Sequence, residues 1–476
     1  MARTSLFWRV FINPRVFFDP SLMTHKGVFM DPQDNGWQPA PFSLSIEGFG
    51  WKGEGYGRYR NQIISVPHTL PGDRVEVRCG PLHRGRAWGE ILAWEERAAA
   101  HRDPSCPYYA RCNGCALRHI SYDDERLWKL SALNEILERY GPTQGQPITL
   151  SWIDAQQRIG HRTRGRFRVE VRDGQVHLGL RSTSLAGEVV DVRGCPAQST
   201  RFLELLSKVA ALLEEDLSLA ARVNAVEILT NSDQTRARVV VSADPSARAE
   251  LCEQLSLLRG LSGVEVSLEA EDGRVETILG PPFSLVVSAG LSVSVPPGSW
   301  CHTNPGAAAL LLDWVAERVE PRGHRFMLDL CCALGSVTAR LAGLLERVIA
   351  VDEDHLACTA LKNAAREQGY EHIQVRPGRI GQVLRKLRRE LHGQPGPTGA
   401  VINPMRKQLG ARQLKDLASL GIRHLIYLGP SPVSAAKDAA LLADEGFRLI
   451  NGAGVNLHPA TGQVMLALEF EHLDNF

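Results

Sequence analysis

From about residue 305 onward the chain alternates between helical and strand patterns, and this alternation restricts the fold more than any other feature. Short apolar segments separate stretches with helical periodicity. The strand-like segments read FMLDL, RVIAVD, HIQVRP, GAVIN, HLIYLG and VMLALEF. Parallel neighbours in a sheet need a crossover connection, which is usually a helix. The alternation therefore predicts a mostly parallel sheet with helices on both faces.

The preceding residues follow other patterns, and the chain divides into four parts. Short strands punctuated by Gly and Pro predict a small, OB-like β-barrel over 41–97. Residues 98–296 mix strands and helices and predict an antiparallel α+β domain, whereas 297–476 form the alternating domain. Residues 1–40 are irregular and are predicted to be an N-terminal extension. A helix predicted over 121–141 is a candidate to pack on the alternating domain.

Composition excludes several classes of protein. With 44% hydrophobic residues in 476, the chain can bury real cores and is not wholly disordered. The 54 Lys and Arg balance 53 Asp and Glu, so any basic surface must be local. No apolar run reaches the roughly 18 residues of a membrane span, and we predict no signal peptide. We expect a cytoplasmic protein whose ten cysteines are reduced, metal-bound or catalytic.

Three cysteines lie close together in the sequence. Cys106, Cys112 and Cys115 form a C-x5-C-x2-C pattern, and Cys195 is a possible fourth member. Thiolates in this number suit Zn²⁺ or an iron–sulfur cluster, and the spacing alone does not distinguish the two. The alternative is a set of buried thiols, which is common for free cysteine but less so for three within ten residues.

Around these cysteines the sequence resembles the RNA (uracil-C5) methyltransferase family. The segment PSCPYYARCNGCALRHISYDDERLWK is similar to the family's cysteine signature, and TLPGDRVEV in the barrel resembles its TRAM domain. GHRTRGRFRVEV and VVDVRGCPAQS resemble further family segments in the same order. In layout the chain is most similar to the bacterial subgroup that acts on large-subunit rRNA.

This resemblance implies a multi-domain protein of α/β and β architecture. It implies an OB-like TRAM barrel, a central α+β domain with an Fe–S cluster and a Rossmann-like methyltransferase domain. The cluster would be 4Fe–4S, held by Cys106, Cys112, Cys115 and Cys195. The cofactor would be S-adenosylmethionine. The partner would be RNA, in particular rRNA, with no membrane and with the protein as a monomer.

Five residues are predicted to bind the cofactor. Gly335 follows a strand and opens a helix, where the backbone can approach a ligand, and Asp352 ends the next strand, where an acid can bind a ribose diol. The resemblance adds Asp329, His302 and Asn403. His302 stands where the family has Gln, and Asn403 where it has Asp.

The resemblance leaves the catalytic residues unknown. In the family a cysteine thiolate adds to uracil C6, and a Glu later removes the C5 proton. Aligned to the family motifs, Pro430 occupies the cysteine position and Met465 the Glu position.

Two functions therefore stay open. One is an S-adenosylmethionine-dependent RNA uracil-C5 methyltransferase, in which Cys301, Cys331 or Cys332 would have to replace the nucleophile. The other is a non-catalytic RNA-binding pseudo-methyltransferase that keeps the fold and the cluster.

One segment predicts contact with phosphates. RIGHRTRGRFR, residues 158–168, contains five Arg and no acid. Side chains alternate along a strand, so the arginines at even positions would form a cationic ladder with His161 on the opposite face. The alternative is an ordinary solvated surface. A second basic segment, LRKLRR at 384–389, is more typical of an exposed helix.

Overall fold

The structure is a computed structural model that describes residues 37, 39–50, 52–143, 148–270, 272–404 and 408–473. The extension predicted over 1–40 therefore lies almost entirely outside the described residues. The chain divides into two compact units. The first comprises 1–129, 177–195 and 458–463, and the second comprises 130–176, 196–457 and 464–476. In the described ranges no helix is long and apolar enough to cross a membrane.

The strands are β1 Phe42–Ser45, β2 Gly48–Phe49, β3 Gly55–Tyr59, β4 Gln62–Val66, β5 Arg74–Cys79, β6 Arg86–Glu96, β7 Ser151–Ile153, β8 Arg164–Arg172, β9 Gln175–Arg181, β10 Val189–Asp191, β11 Val223–Thr230, β12 Ala237–Ala243, β13 Val264–Glu269, β14 Val275–Leu279, β15 Ser284–Ser288, β16 Leu291–Ser294, β17 Phe326–Leu330, β18 Arg347–Asp352, β19 Ile373–Pro377, β20 Gly399–Ile402, β21 His424–Gly429, β22 Phe447–Val455 and β23 Met465–His472. The helices are α1 Tyr122–Tyr140, α2 Thr200–Glu215, α3 Leu217–Ala220, α4 Arg248–Leu255, α5 Pro305–Val319, α6 Ser336–Ala342, α7 His355–Glu367, α8 Ile380–Glu390, α9 Ala411–Ala418 and α10 Pro432–Asp444.

A six-stranded sheet in the first unit forms the predicted barrel. Its order is β1-β5-β6-β4-β3-β2, with only β4 and β6 pairing in parallel. Buried aliphatic side chains such as Leu44, Ile64 and Val75 fill its interior. The sheet curls until β1 approaches β3, where a Cβ on Gly57 would lie 2.2 Å from the Ser45 carbonyl oxygen. Glycine is therefore required at position 57, because any side chain would prevent this approach.

A second apolar cluster in the first unit fixes the start of α1. Trp128 packs with Phe49 and Leu117 there. Next to Trp128 on the helix, Lys129 is fully buried and donates to Glu125 at 2.7 Å, one helical turn earlier. The Ala460 backbone N–H also donates to Glu125, at 2.9 Å. This buried carboxylate is therefore fully satisfied by a charge and a peptide donor.

The second unit contains an eight-stranded sheet of order β19-β18-β17-β20-β21-β23-β22-β7. The first five strands pair in parallel, and β23 inserts antiparallel beside β21. The strand order reverses at β17, which is flanked by β18 on one side and β20 on the other. Ligands bind at such switch points, outside the carboxyl ends of the strands. The predicted mostly parallel sheet is confirmed.

Two parts of this sheet were not predicted from the sequence. β22 pairs antiparallel with β23, and the short β7 pairs with β22 in parallel. Leu133, in the second half of α1, is fully buried in the core with sheet residues such as Leu328. Residues that follow the cysteine segment therefore complete the parallel-sheet part of the second unit. β7 is too short for its pattern to stand out in the sequence.

A smaller sheet also lies in the second unit. Within this unit its strands follow the order β8-β11-β12-β13-β14, and all these neighbours except β12 and β13 are antiparallel. Helix α2 buries Phe202, Leu205 and Leu206. Strands and helices are thus mixed in this region, and β15 and β16 follow it as an antiparallel hairpin.

Candidate functional site

The turn between β17 and α6 has an unusual backbone. Cys331, Ala333 and Gly335 all have positive φ, at 63°, 45° and 86°. At Gly335 an added Cβ would lie 2.5 Å from Leu361, so the position requires glycine for both φ and space. Ala333 adopts a left-handed conformation that costs a residue with a side chain about 1–2 kcal/mol. The chain therefore keeps a glycine-type turn at the switch point although one of its residues is alanine.

Asp352 holds this turn from the neighbouring strand. It ends β18, and its carboxylate accepts a hydrogen bond from the Ala333 N–H at 2.8 Å. Its other oxygen accepts from the Asp354 N–H at 2.9 Å. Each carboxylate oxygen has a second lone pair, so the group can still accept from a ribose hydroxyl. The predicted cofactor acid is thus also a support for the turn.

Asp329 is fully buried in β17. Its Oδ2 accepts from the Thr338 hydroxyl at 2.5 Å, whereas its Oδ1 is buried without a hydrogen-bond partner in the described part of the chain. Burial raises the pKa of Asp329 to about 7, and the charge of Asp352 adds to the shift. Sequence reasoning did not identify Thr338. The available signal was a hydroxyl residue near the start of the helix that follows the turn.

The other two predicted cofactor residues follow the same edge. The Asn403 N–H, directly after β20, donates to the Leu330 carbonyl at 3.0 Å. His302 is partly buried, and burial lowers its pKa to about 4, so its imidazole is neutral at physiological pH. Its ring lies edge-on to Trp300, with centroids 4.6 Å apart. The structure thus brings Asp329, Gly335, Asp352 and Asn403 to the ends of three adjacent strands.

His302 belongs to a segment that touches this edge through Ser299. The Ser299 hydroxyl lies 3.4 Å from the Asp354 carboxylate, just after β18. From the smaller sheet, Arg164 donates to the Ser299 carbonyl at 3.3 Å. The segment before α5 is therefore anchored at both the smaller sheet and the turn after β18.

Pro430 and Met465 have different surroundings. Pro430 directly follows β21, at the carboxyl edge of the parallel sheet. Tyr427 and Asp438 align with the family motif and so assign Pro430 to the cysteine position. Both are well fixed, because the Tyr427 hydroxyl donates to the fully buried Asp438 at 2.6 Å. Met465 begins β23, is 4% exposed and lies in the apolar core opposite Val455. Neither side chain carries a nucleophile or an ionisable group.

Three other cysteines lie in the second unit as possible substitutes. Burial raises the pKa of Cys301, and burial together with the Asp352 charge raises that of Cys331. Hydrogen bonding with Cys358 and burial raise the pKa of Cys332. Since the thiolate is the nucleophilic form, all three are poorly activated in this state.

The four cysteines predicted as cluster ligands all belong to the first unit. Cys106, Cys112 and Cys115 lie between β6 and α1, and Cys195 follows β10. All four are partly buried and free of disulfides. Burial raises the pKa of Cys112 to about 12, with smaller contributions from the other three thiols. The other three thiols are therefore near enough to Cys112 to influence it, and a bound cation would favour deprotonation of its ligands.

The backbone links the two cysteine segments. The Cys112 N–H donates to the Tyr108 carbonyl at 2.8 Å, and the Gly194 N–H donates to the Tyr108 hydroxyl at 3.1 Å. A Cβ on Gly114 would lie 3.3 Å from the Cys112 sulfur and 2.8 Å from Leu180. Gly114 thus leaves room for the turn between two of the cysteines.

In the described ranges, no group of three or more His, Cys, Asp or Glu side chains is arranged to hold a metal ion. Thiolates on one zinc ion lie about 3.8 Å apart, since Zn–S bonds of about 2.3 Å point to the corners of a tetrahedron. In a 4Fe–4S cube each thiolate binds a different iron, so its sulfur ligands are spread more widely. The identity of a bound group therefore stays a prediction.

Comparisons with known proteins agree with this architecture. The TRAM domain family model matches residues 42–92. An uncharacterised RNA methyltransferase of Synechocystis is 25% identical over 460 residues, which cover 91% of this chain and 96% of the relative. The 23S rRNA (uracil(1939)-C(5))-methyltransferase RlmD of Shewanella woodyi is 22% identical over 445 residues, covering 92% and 98%. The chain is a homologue of the RNA uracil-C5 methyltransferases.

A solved structure supports the same fold. The Pyrococcus abyssi tRNA (uracil-54, C5)-methyltransferase, crystallised with S-adenosyl-L-homocysteine, matches with a TM-score of 0.70 at 18% identity. The match covers 90% of this chain and 99% of that chain. The barrel β1–β6 is thus a TRAM domain, and the eight-stranded sheet has the methyltransferase fold.

Outside the TRAM domain, the predicted arginine ladder needs correction. β8 begins at Arg164, so the residues 158–163 are not part of the strand. Arg164 donates to Glu227 at 2.5 Å, and Arg166 pairs with Glu269 at 2.7 Å. Acids on neighbouring strands thus neutralise part of the ladder, which the sequence of β8 alone does not reveal. Arg168 is exposed and has no ion-pair partner among the described residues.

Proposed function

We propose that this protein is an RNA-binding homologue of the uracil-C5 methyltransferases that does not methylate uracil by the family's cysteine route. The observation that supports this proposal most strongly is the pair Pro430 and Met465. The first lies at the carboxyl edge without a nucleophile, and the second is a buried core residue without an acid. Two independent losses at the two reacting positions favour a non-catalytic descendant.

The chemistry explains why both losses matter. Carbon 5 of uracil is a poor nucleophile until a thiolate adds to C6, and a base must then remove the C5 proton. A substitute cysteine must reach C6 within about 3–3.5 Å in the bound geometry. The raised pKa values of Cys301, Cys331 and Cys332 argue further against a substitute.

A second function, an active methyltransferase, is favoured by the cofactor edge. The glycine-type turn, the Gly335 contact and the carboxylate of Asp352 all fit an adenosyl ligand at the switch point. We therefore propose that S-adenosylmethionine still binds, with Asp352 on the ribose and with Gly335, Asp329, His302 and Asn403 around it. The cofactor would supply an electrophilic methyl group. At Pro430, however, this chain has no thiolate that could activate C5 of uracil to accept that group.

We also propose that Cys106, Cys112, Cys115 and Cys195 hold a 4Fe–4S cluster. Four partly buried thiols with one strongly raised pKa fit a ligand that binds four thiolates and neutralises their charge. The RNA is proposed to be rRNA, because relatives such as the Shewanella woodyi protein are 23S rRNA methyltransferases. A monomer acting in the cytoplasm fits this role.

Two measurements on anaerobically purified protein test the function. Calorimetry with S-adenosylmethionine should show binding, and tritium release from C5-labelled uridine in rRNA should stay at the level of a protein-free control. The Shewanella woodyi relative, assayed in parallel, shows that the substrate is competent. Robust release by this protein would overturn the proposal and establish the active methyltransferase instead.

A further inference from the structure

The first unit contains a cavity of about 880 Å³ that the proposed cofactor site does not explain. Its walls come from the end of the TRAM barrel, from the loop 101–111 and from residues 182–188. Cys106, one of the proposed cluster ligands, is itself a lining residue. Its volume lies in the range of cavities that bind small organic ligands, about 300–1,000 Å³. All of its lining residues belong to the first unit, whereas the five predicted cofactor residues belong to the second.

One part of the lining is aromatic. The Arg97 guanidinium lies 4.2 Å from the centre of the Trp94 ring, and both residues line the cavity. The His101 ring meets Trp94 edge-on at 5.5 Å and is fixed by Asp73 at 2.9 Å. Unpaired RNA bases stack on aromatic rings and on guanidinium planes. This group therefore suits a flat, aromatic ligand.

A second part of the lining is cationic. Arg97, Arg102 and Arg111 are all exposed, and within the described ranges none of them is paired with a carboxylate. Three acids also line the cavity, Glu90, Asp103 and Glu188. Glu90 is paired with Arg78 at 2.8 Å, and Asp103 accepts from the Ser105 N–H at 2.9 Å. Arg102 Nη1 donates to the Ala99 and His101 carbonyls at 3.0 and 2.9 Å, and its other N–H groups remain for a ligand. Guanidinium groups at the edge of a cavity suit a phosphate, which they can bind through two parallel hydrogen bonds.

A third part consists of buried polar atoms that lack partners. His68 is 7% exposed, and its Nε2 has no hydrogen-bond partner among the described residues. Burial lowers the pKa of His68 to about 4, so the ring is neutral, and it stacks on Tyr109 at 4.0 Å. Glu188 also has a buried carboxylate oxygen, Oε2, that accepts no hydrogen bond from the described part of the chain. Buried polar atoms are normally satisfied, so these two await a ligand with donors and acceptors.

From these three parts we propose that the cavity binds one unpaired nucleotide of the RNA. The base would stack beside Trp94 and Arg97, and its polar edge would meet His68 and Glu188. The phosphate would bind Arg102 and Arg111. This inference rests on the proposed RNA-binding function and adds to it a pocket for a single nucleotide within the first unit.

Calorimetry on the full-length protein tests the pocket without any long RNA. The probes are the four nucleoside 5′-monophosphates, with ribose 5-phosphate as the ligand that lacks a base. We expect at least one nucleotide to bind about tenfold more tightly than ribose 5-phosphate, because base stacking contributes about 1–3 kcal/mol. The double variant Arg97→Gln with Arg111→Gln should weaken nucleotide binding about tenfold.

Matched variants separate this site from general surface charge. Arg58→Gln with Arg74→Gln removes two exposed arginines of the same barrel that are paired with Glu47 and Glu95 and do not line the cavity. This variant should bind the nucleotides as the parent does. His68→Asn keeps a residue that tolerates the left-handed φ of 64° and should reduce the preference for a nucleotide over ribose 5-phosphate.

A short single-stranded RNA distinguishes the possible failures. If the RNA binds but no nucleotide binds better than ribose 5-phosphate, the pocket is refuted and the RNA-binding function stands. If both arginine pairs weaken nucleotide binding equally, the pocket is also refuted. If nucleotides bind in the cavity but the RNA does not bind, the nucleotide pocket stands and the RNA-binding function fails.

Discussion

The cysteine segment of the first unit and the carboxyl edge of the parallel sheet in the second keep different amounts of the family's chemistry. In the first, all four expected thiols are present, and one of them shows a pKa raised to about 12 by burial and by its neighbours. In the second, the turn and Asp352 are in place, but Pro430 and Met465 replace the reacting groups. In the proposed function, the residues that would bind ligands persist, and those that would react do not.

This difference shows where two functions of one fold can separate. The proposed cluster and the RNA contacts proposed for this protein would need no catalytic group. Covalent catalysis needs one thiolate and one base in register, and their loss leaves the packing intact because proline ends a strand well and methionine suits a core.

The largest expected effect concerns methylation. We expect tritium release from C5-labelled uridine to be at least about 10⁴-fold below that of the Shewanella woodyi relative, since loss of a general base alone costs about 10²–10⁴. Pro430→Cys alone should not restore release, because the base is still missing. If the unmodified protein released tritium within tenfold of the relative's rate, the carboxyl edge of the sheet would be catalytically active. The contrast with the cysteine segment would then be wrong.

The next effect concerns the cluster. Cys112→Ser should abolish stoichiometric iron and sulfide in anaerobically purified protein and lower its melting temperature, because metal binding is coupled to folding. Cys252→Ser, a change in α4, is the matched control and should leave both unchanged. Stoichiometric zinc without iron in the parent protein would contradict the proposed cluster.

Met465 gives a third test, which also bears on restoring activity. Met465→Glu places a carboxyl in the apolar core and should lower the free energy of unfolding by about 3 kcal/mol or more. Met465→Leu conserves volume and should cost less than about 1.5 kcal/mol. Urea unfolding measures both. An undiminished stability of Met465→Glu would mean that the position is open to solvent and could hold a base.

A fourth test uses the pH dependence of stability. The pKa of Asp329 is about 7 when folded, against about 3.9 in an unfolded chain, so the folded state binds the extra proton between these values. Stability contributed by this group is therefore present below about pH 4 and falls as the pH rises to about 7. Urea unfolding across this window should show a smaller fall for Asp329→Asn. If the free energy of unfolding fell equally with pH for the parent and for Asp329→Asn, the raised pKa of Asp329 would be contradicted.

The smallest expected effect concerns the arginines of β8. RNA affinity plotted against salt concentration on logarithmic axes gives a negative slope. Arg168→Ala should make this slope shallower by about one, or by less on single-stranded RNA. Arg164→Ala should change stability more than this slope, because it leaves the partly buried Glu227 without its 2.5 Å partner. If Arg164→Ala instead changed the salt slope more than the stability, Arg164 would contact phosphates, as the sequence predicted.

Much of the fold could be predicted from the sequence because its signals are local. The helix predicted over 121–141 is observed as Tyr122–Tyr140, since an apolar periodicity and a Gly-Pro stop define it. All six strands predicted in the alternating region are present. β22 and β7 were missed, because β7 spans three residues and β22 lacks a regular alternation.

The candidate site divides in the same way. Local sequence was enough to propose the cysteines, Gly335 and Asp352 as site residues, because their types and spacing suggest a chemistry. The tertiary structure alone decided that Met465 is a buried core residue, that Thr338 hydrogen-bonds Asp329 and that Arg164 is paired with Glu227. It alone also assembled the cavity of the first unit from segments far apart in the chain. Pairing, burial and cavities depend on which distant residues meet, and a local pattern does not contain that information.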